Sequence, residues 1–219
     1  MSMLSRFATL GGGGDPYYSY VTLLMTGTTL TTDSSTPQKT ITNSGVTLST
    51  SSYKFAPSSL NFNGSSRMNA GTNAGYAMGT GDFTIEAWIK INNTSGEKYM
   101  TAQQDYGANS LTFLVIGNVI KLRAYASNDI VVGTLPITAG AWTYVTVTRS
   151  GSTNRLFVNG VADTSATNSQ NWNLTKMFIG DSGNGDAYFN GGIEDLRITK
   201  GIARYTATFT PPTAPLPTY

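Results

Sequence analysis

Residues 83–91 read FTIEAWIKI, and the period of that run decides the fold class. Phe83, Ile85, Ala87, Ile89 and Ile91 fall on one side, and Thr84, Glu86, Trp88 and Lys90 fall on the other. A period of two with β-branched and aromatic residues predicts a half-buried strand. The same texture extends in both directions. WTYVTVTRSGSTNRLFVNGVAD (142–163) predicts a three-strand meander whose second turn, Asn159-Gly160, suits the positive φ angles of a tight hairpin. LTFLVIGNVIKLRAYA (111–126) predicts a hairpin about Gly117-Asn118. YVTLLM (20–25), SLNFNG (59–64), KMFIG (176–180) and GGIEDLRIT (191–199) supply further strands, and KTITNSGVTLST (39–50) reads as two short strands joined through Asn43-Ser44-Gly45. Turn signals recur about every ten residues with no long amphipathic helix between them, which predicts an all-β, antiparallel two-sheet sandwich.

Composition narrows the function classes. The chain has 219 residues, enough for one large β domain that buries its own core without covalent staples. The net charge is +2 and the basic residues are scattered, so the phosphate-neutralising stripe that nucleic acid binding requires is missing. Cysteine and histidine are both absent. Disulfides, Ser-His-Asp hydrolysis and histidine-held zinc are thereby excluded. No apolar run approaches the roughly 18 residues that mark a bilayer span, so membrane insertion is not expected. The opening MSMLSRFATLGGGG lacks the long apolar segment and cleavage site of a secretory leader, so work outside a cell would need another route of release.

Three segments are expected. Residues 1–16 form an arm in which Met3, Leu4, Phe7 and Leu10 recur at spacings that put apolar side chains on one side for docking, followed by a Gly11–Gly14 hinge. Residues 17–209 form the sandwich, and the proline-rich 210–219 an extended tail without a ladder of its own.

GTGDFTIEAWIK (79–90), WTYVTVTRSGSTNRLFVNGV (142–161), FNGGIEDLRITKGIARY (189–205) and YKFAPSSLNFNGSSRM (53–68) resemble the successive signature strands of concanavalin A-like, laminin G-type jelly-roll modules. The resemblance implies the jelly-roll form of the sandwich and is silent on function, because one scaffold hosts lectins, glucanases and structural modules. DPYYSYVTLLM (15–25) and DLRITKGIARYTATFTPP (195–212) are similar to versions of the module in bacteriophage virion proteins. That likeness implies a non-enzymatic part of a virus particle, a capsid decoration or small tail- or fibre-associated protein. Its localisation would be the virion, released by lysis. Its partners would be other virion proteins, engaged through the N-terminal arm in a homo-oligomer or symmetric array. The alternative is a glycan-binding adhesin for host surface polysaccharide, and a degenerate glycanase ranks last. Two positions depart from the family pattern: Arg67 where an aspartate is common, and Tyr144 where a histidine is common.

Glu194 and Asp195 are the obvious acidic pair. Alternation predicts opposite faces, with Glu194 beside Leu196 and Ile198 and Asp195 beside Arg197, so the two cannot flank one glycosidic bond. The family's glucanases carry their acids at alternate positions of one strand, and no E-x-D-x-E string occurs. A structural role is expected for Glu194, accepting hydrogen bonds with Arg204 or Tyr205 as donors. Modules of this family often carry calcium, and Asp33, Asp181, Asp186 and Glu194, with Asn184, are the candidate oxygen ligands for a structural ion. For glycan recognition, Tyr106 with Asn109, Trp172 and Tyr188 are loop aromatics in polar company, each equally readable as packing. Trp88 reads as a sheet-face platform or as a side chain covered by a loop.

Overall fold

The computed structural model describes residues 13–103, 110–124 and 128–219. Among these, alternating segments form two antiparallel sheets whose apolar faces meet. The larger sheet, of eight strands, runs β13 (Val161–Thr167), β12 (Thr153–Val158), β11 (Thr143–Ser150), β6 (Phe83–Ile91), β15 (Asn190–Lys200), β4 (Ser59–Asn63) and β3 (Thr47–Ser49). In it β1 (Val21–Met25) pairs with the far half of β15. The second sheet, of seven strands, runs β10 (Asn128–Val132), β9 (Val119–Ala124), β8 (Leu111–Ile116), β7 (Glu97–Gln103), β14 (Lys176–Ile179), β5 (Arg67–Thr72) and β2 (Thr42–Ser44).

The core lies between the sheets. Phe83, Ile85, Ala87, Ile89 and Ile91 of β6 meet Met68, Met100, Phe113, Val115 and Ile120 from the opposite sheet, all fully buried. Each such side chain removes apolar area from water at about 25 cal/mol per Å², which drives the two faces together. Hairpins form at both predicted turns: Ile116 pairs with Val119, and Val158 with Val161, the latter around Asn159 at φ 49 and Gly160 at φ 76. The two strands of 39–50, by contrast, go to different sheets, β2 against β5 and β3 against β4. The Gly45 turn is a crossing between layers.

Two further expectations are corrected. β6 is buried on both faces, because Thr84 and Glu86 are 0% exposed and Trp88 is 5% exposed. Residues 200–216 cross the outer face of the larger sheet: Thr84 donates to Ile202 O at 3.0 Å, Thr148 to Tyr205 O at 2.9 Å, and Phe209 N to Gly160 O at 2.9 Å. The second correction is a register shift in β15. Glu194 lies opposite Trp88 but Arg197 opposite Glu86, so β15 holds one residue more than β6 over this interval. That bulge centres on Asp195, at φ 52. Beyond it the faces are exchanged, and Glu194 joins Trp88 and Arg197 on the outer side while Leu196 enters the core.

Candidate functional site

The acids were the first candidates, and most of them are spent inside the fold. Glu194, 2% exposed, accepts the backbone N–H groups of Lys54 at 2.7 Å and Phe55 at 2.8 Å. Neither Arg204 nor Tyr205 is its donor; both serve other acids. Burial raises the Glu194 carboxyl above its ordinary value, with the two N–H groups opposing. Asp195, fully buried, accepts Leu216 N–H at 3.0 Å and leaves its Oδ1 without a partner. Burial pushes this carboxyl up to about 7, and the nearby Glu194 adds to the shift. Both carboxylates therefore emerge on the outer side. They are nonetheless closed off, one beneath the 54–55 backbone and the other beneath the tail, so a substrate bond cannot lie between them.

Next along β15 a buried charge network holds the sheet's outer face. Glu86 accepts Arg197 Nε at 2.8 Å and the Tyr144 hydroxyl at 2.6 Å, and Arg197 Nη1 reaches Asp15 at 2.9 Å. Arg204 adds a fork onto Asp15, at 2.9 and 2.7 Å. Burial alone would raise Asp15, yet the Arg204 hydrogen bond and the Arg197 and Arg204 charges outweigh it and hold the carboxyl below its usual value. Tyr205 and Phe209 stack at 3.5 Å over this network and beside Phe157. Asp15 and the run from Asp195 to Phe209, from opposite ends of the chain, thus converge on this seam.

The proposed calcium ligands are not gathered. Among the described residues no three His, Cys, Asp or Glu side chains form a metal-binding group. Asp33 accepts Leu24 N, Ser35 N and Lys39 N at 3.3, 3.3 and 2.6 Å. Asp181 is paired with Arg67 at 2.9 Å, so a guanidinium already supplies the positive charge there. Asp186 takes Ser182, and Glu194 is placed as above. These residues do not fit a shared ion.

Of the aromatic candidates, Tyr106 and Asn109 lie outside the described residues, as do Met3, Leu4, Phe7 and Leu10 of the arm. Trp172 is 0% exposed and part of the core. Its backbone bridges Gly79 at 2.8 and 2.9 Å, and Arg149 draws the same loop inward by donating to Gln170 O and Gly79 O, both at 2.8 Å. It is a plug, which corrects its reading as a glycan contact. Trp88 is likewise no open platform: Lys54 Nζ sits 3.9 Å above its ring, Phe55 packs at 6.1 Å and Tyr144 at 5.1 Å. Tyr188 stays partly buried, its hydroxyl close against Gly185.

Two other regions of the described residues bear on the site. The outer face of the seven-stranded sheet carries a ladder of internally paired groups: Tyr99 donates to Glu97 at 2.9 Å, Arg123 bridges Glu97 and Asp129 at 2.9 and 2.7 Å, and Lys121 meets Asp129 at 2.8 Å. The other region is a partly buried tryptophan that the sequence reading passed over, Trp142, at the entry to β11. A Cβ added at Gly192 would lie 2.7 Å from its Cη2 and 3.1 Å from its Cζ2, so the indole tip rests on the glycine two strands away. The glycine pair of GGIEDL was the available signal, because a strand interior keeps glycine where another group approaches closely.

Residues 61–203, more than half of the chain, match the laminin G-type family described as the concanavalin A-like lectin/glucanases superfamily. No curated protein matches. Among solved structures, domain 4 of an extracellular arabinanase from Geobacillus stearothermophilus, determined in complex with arabinotriose, superposes with a TM-score of 0.63 at 19% identity, covering 83% of this chain and 92% of that one. Botulinum neurotoxin type C, whose cell entry depends upon interaction with two ganglioside molecules, superposes at 0.64 with 15% identity over 86% of this chain. The binding domain of serotype D/C gives the same values. The chain spans 50% of these neurotoxin chains. At such identities the likeness establishes the fold alone, and none of these matches is a phage protein. By the extent of the family match and the two-sheet architecture, the chain belongs to the concanavalin A-like lectin/glucanase superfamily as a laminin G-type jelly roll.

Proposed function

We propose that the chain is a non-catalytic carbohydrate-binding module. The observation that carries this reading is the overlap with nearly the whole of a domain determined with arabinotriose bound. The chemistry is compatible. Asp15, Glu86, Glu194 and Asp195, all on or beside the central strands, are committed to buried internal bonds, so acid–base hydrolysis has no pair to use at this sheet. Surface hydroxyls and amides are abundant and charges few, at 12% of residues. The test is affinity electrophoresis of the purified chain through neutral and acidic polysaccharides, with a reducing-sugar assay alongside. Saturable retardation without release of reducing ends is expected. Release of reducing ends, or free migration through every polymer, would overturn the reading.

A narrower setting, display of this module on a bacteriophage particle with host polysaccharide as its ligand, is supported by the likeness in DPYYSYVTLLM and DLRITKGIARYTATFTPP. In that setting the arm of residues 1–16 attaches it to capsid or tail proteins in a symmetric array, which multiplies a weak sugar affinity. Deleting residues 1–14 should release the protein from particles and leave polysaccharide retention intact. Unchanged particle association would end that reading.

A further inference from the structure

Most of the larger sheet's outer face is roofed. Residues 200–216 cover Thr84, Glu86, Tyr144 and Thr148, and residues 54–55 cover Trp88 and Glu194. On the central strands a row lies outside this cover, where Gly192 sits between Asn61 on β4 and Lys90 on β6. Trp142 reaches across Lys90 from the entry to β11 and sets its ring tip on Gly192. The other two tryptophans are 5% and 0% exposed, and their indole nitrogens are buried without partners. Trp142 is partly exposed, and its N–H is neither buried nor bonded among the described residues. Lys90 donates to Ser52 Oγ at 3.1 Å and forms no ion pair among the described residues.

This is an apolar slab with a free N–H donor at its edge and the Lys90 ammonium, which has no carboxylate partner among the described residues, beside it. A sugar ring offers an apolar C–H face to such a slab and hydroxyls to its rim, and an unpaired ammonium selects an anion. The charged ladder on the opposite sheet is different, since Glu97, Lys121, Arg123 and Asp129 already pair with one another. We infer that Trp142, seated on Gly192 and beside Lys90, is a binding platform for a carboxylate-bearing sugar unit of an acidic polysaccharide. The inference rests on the carbohydrate-binding reading and names its site and ligand class.

The test is gel retardation by polygalacturonate, with neutral arabinan and polyglutamate as parallel probes. Wild-type protein should be retarded by polygalacturonate well beyond polyglutamate. Trp142→Ala should abolish that retardation, and Lys90→Gln should weaken it by about tenfold, the loss of one charge-assisted contact. Because Trp142→Ala could perturb folding, acrylamide quenching of the wild type supplies a second readout: polygalacturonate should shield the one accessible indole. Retardation equal in polyglutamate, retention by both variants at the wild-type level, or quenching unaffected by saturating polygalacturonate would each overturn the platform. Retardation by arabinan alone would overturn it while leaving the carbohydrate-binding reading standing. Free migration through both saccharides would overturn the platform, and free migration through every polysaccharide tested would overturn the two together.

Discussion

Arg197 and Asp15 are 182 residues apart in sequence and 2.9 Å apart in the fold, with side chains 4% and 2% exposed. Their contact closes the larger sheet: the guanidinium of the last strand holds the segment that leads into the first. Replacing Asp15 by Ala would leave Arg197 and Arg204 short of an anion in a desolvated place. Removing one partner of a buried pair costs about 3–5 kcal/mol. Urea unfolding of Asp15→Ala should show a loss of that size at neutral pH. Because the folded carboxyl lies below the unfolded 3.8, this contribution is present above that pH and fades as pH falls through the folded value. A loss under 1 kcal/mol, the level of an exposed pair, would contradict the network's burial.

Asp195 carries the opposite sign. Its folded carboxyl titrates at about 7 against 3.8 unfolded, so between those values the folded state binds the extra proton. Stability is then fully present below about pH 4 and declines as pH rises through 7, by on the order of 4 kcal/mol at most. Glu194 and Glu86 face it and reinforce the shift, while Arg197 and the Leu216 N–H oppose it. Asp195→Asn retains an acceptor for Leu216 and a residue type that tolerates the left-handed φ of 52. Its thermal midpoint should be flatter than wild type between pH 4 and 7 and higher at pH 8. Equal slopes in the two proteins would place the titration elsewhere.

Trp172→Ala separates plug from contact. With a fully buried indole in the core, the variant should lose about 3–5 kcal/mol of stability. Polysaccharide retardation, measured below the variant's melting temperature, should match wild type. Selective loss of retardation with stability intact would restore Trp172 as a ligand contact.

Chelator should leave thermal stability unchanged. Asp33, Asp181 and Glu194 draw their hydrogen bonds and charge from Ser35, Lys39, Arg67, Lys54 and Phe55. A bound ion would have to displace these donors. Differential scanning fluorimetry with EDTA and then with calcium checks it, and a calcium-dependent rise of several degrees would show that a metal displaces them.

The layers of this fold are legible wherever alternation and turn chemistry agree. FTIEAWIKI and the Asn159-Gly160 hairpin set strands and faces by local rules, and both appear in the structure. Legibility fails where a single residue changes the count. The bulge at Asp195 exchanges the faces of β15, and nothing in IEDLR announces it, because aspartate reaches a left-handed φ without glycine's signature. The hidden outer face of β6 fails for a different reason. Its cover comes from residues 200–216, whose proline-rich end has no strand pattern and gives no sign of where it packs. Strands β5, β7 and β10 were passed over because RMNAGT, EKYMTAQ and NDIVV alternate weakly. Trp142 was missed because its partner is a glycine, and a contact with a missing side chain leaves only the smallness of that residue to read.

Gly192→Ala tests that last contact directly. A methyl group at this position would stand 2.7 Å from Trp142 Cη2, closer than carbon atoms pack, so the indole must lift from the sheet. Backbone strain is not the issue, since Gly192 is outside the left-handed region that holds its neighbour Gly191 at φ 145. Overpacking of this kind costs about 1–3 kcal/mol, and here the ring can move toward solvent, which puts the cost at the lower end. Fluorescence should redshift and acrylamide quenching should rise, because the other two indoles stay enclosed. Polygalacturonate retardation should weaken together with the quenching change, since a lifted ring no longer presents a flat floor to a sugar. An emission spectrum and stability identical to wild type would mean that Trp142 does not rest on the glycine, and the platform would lose its floor.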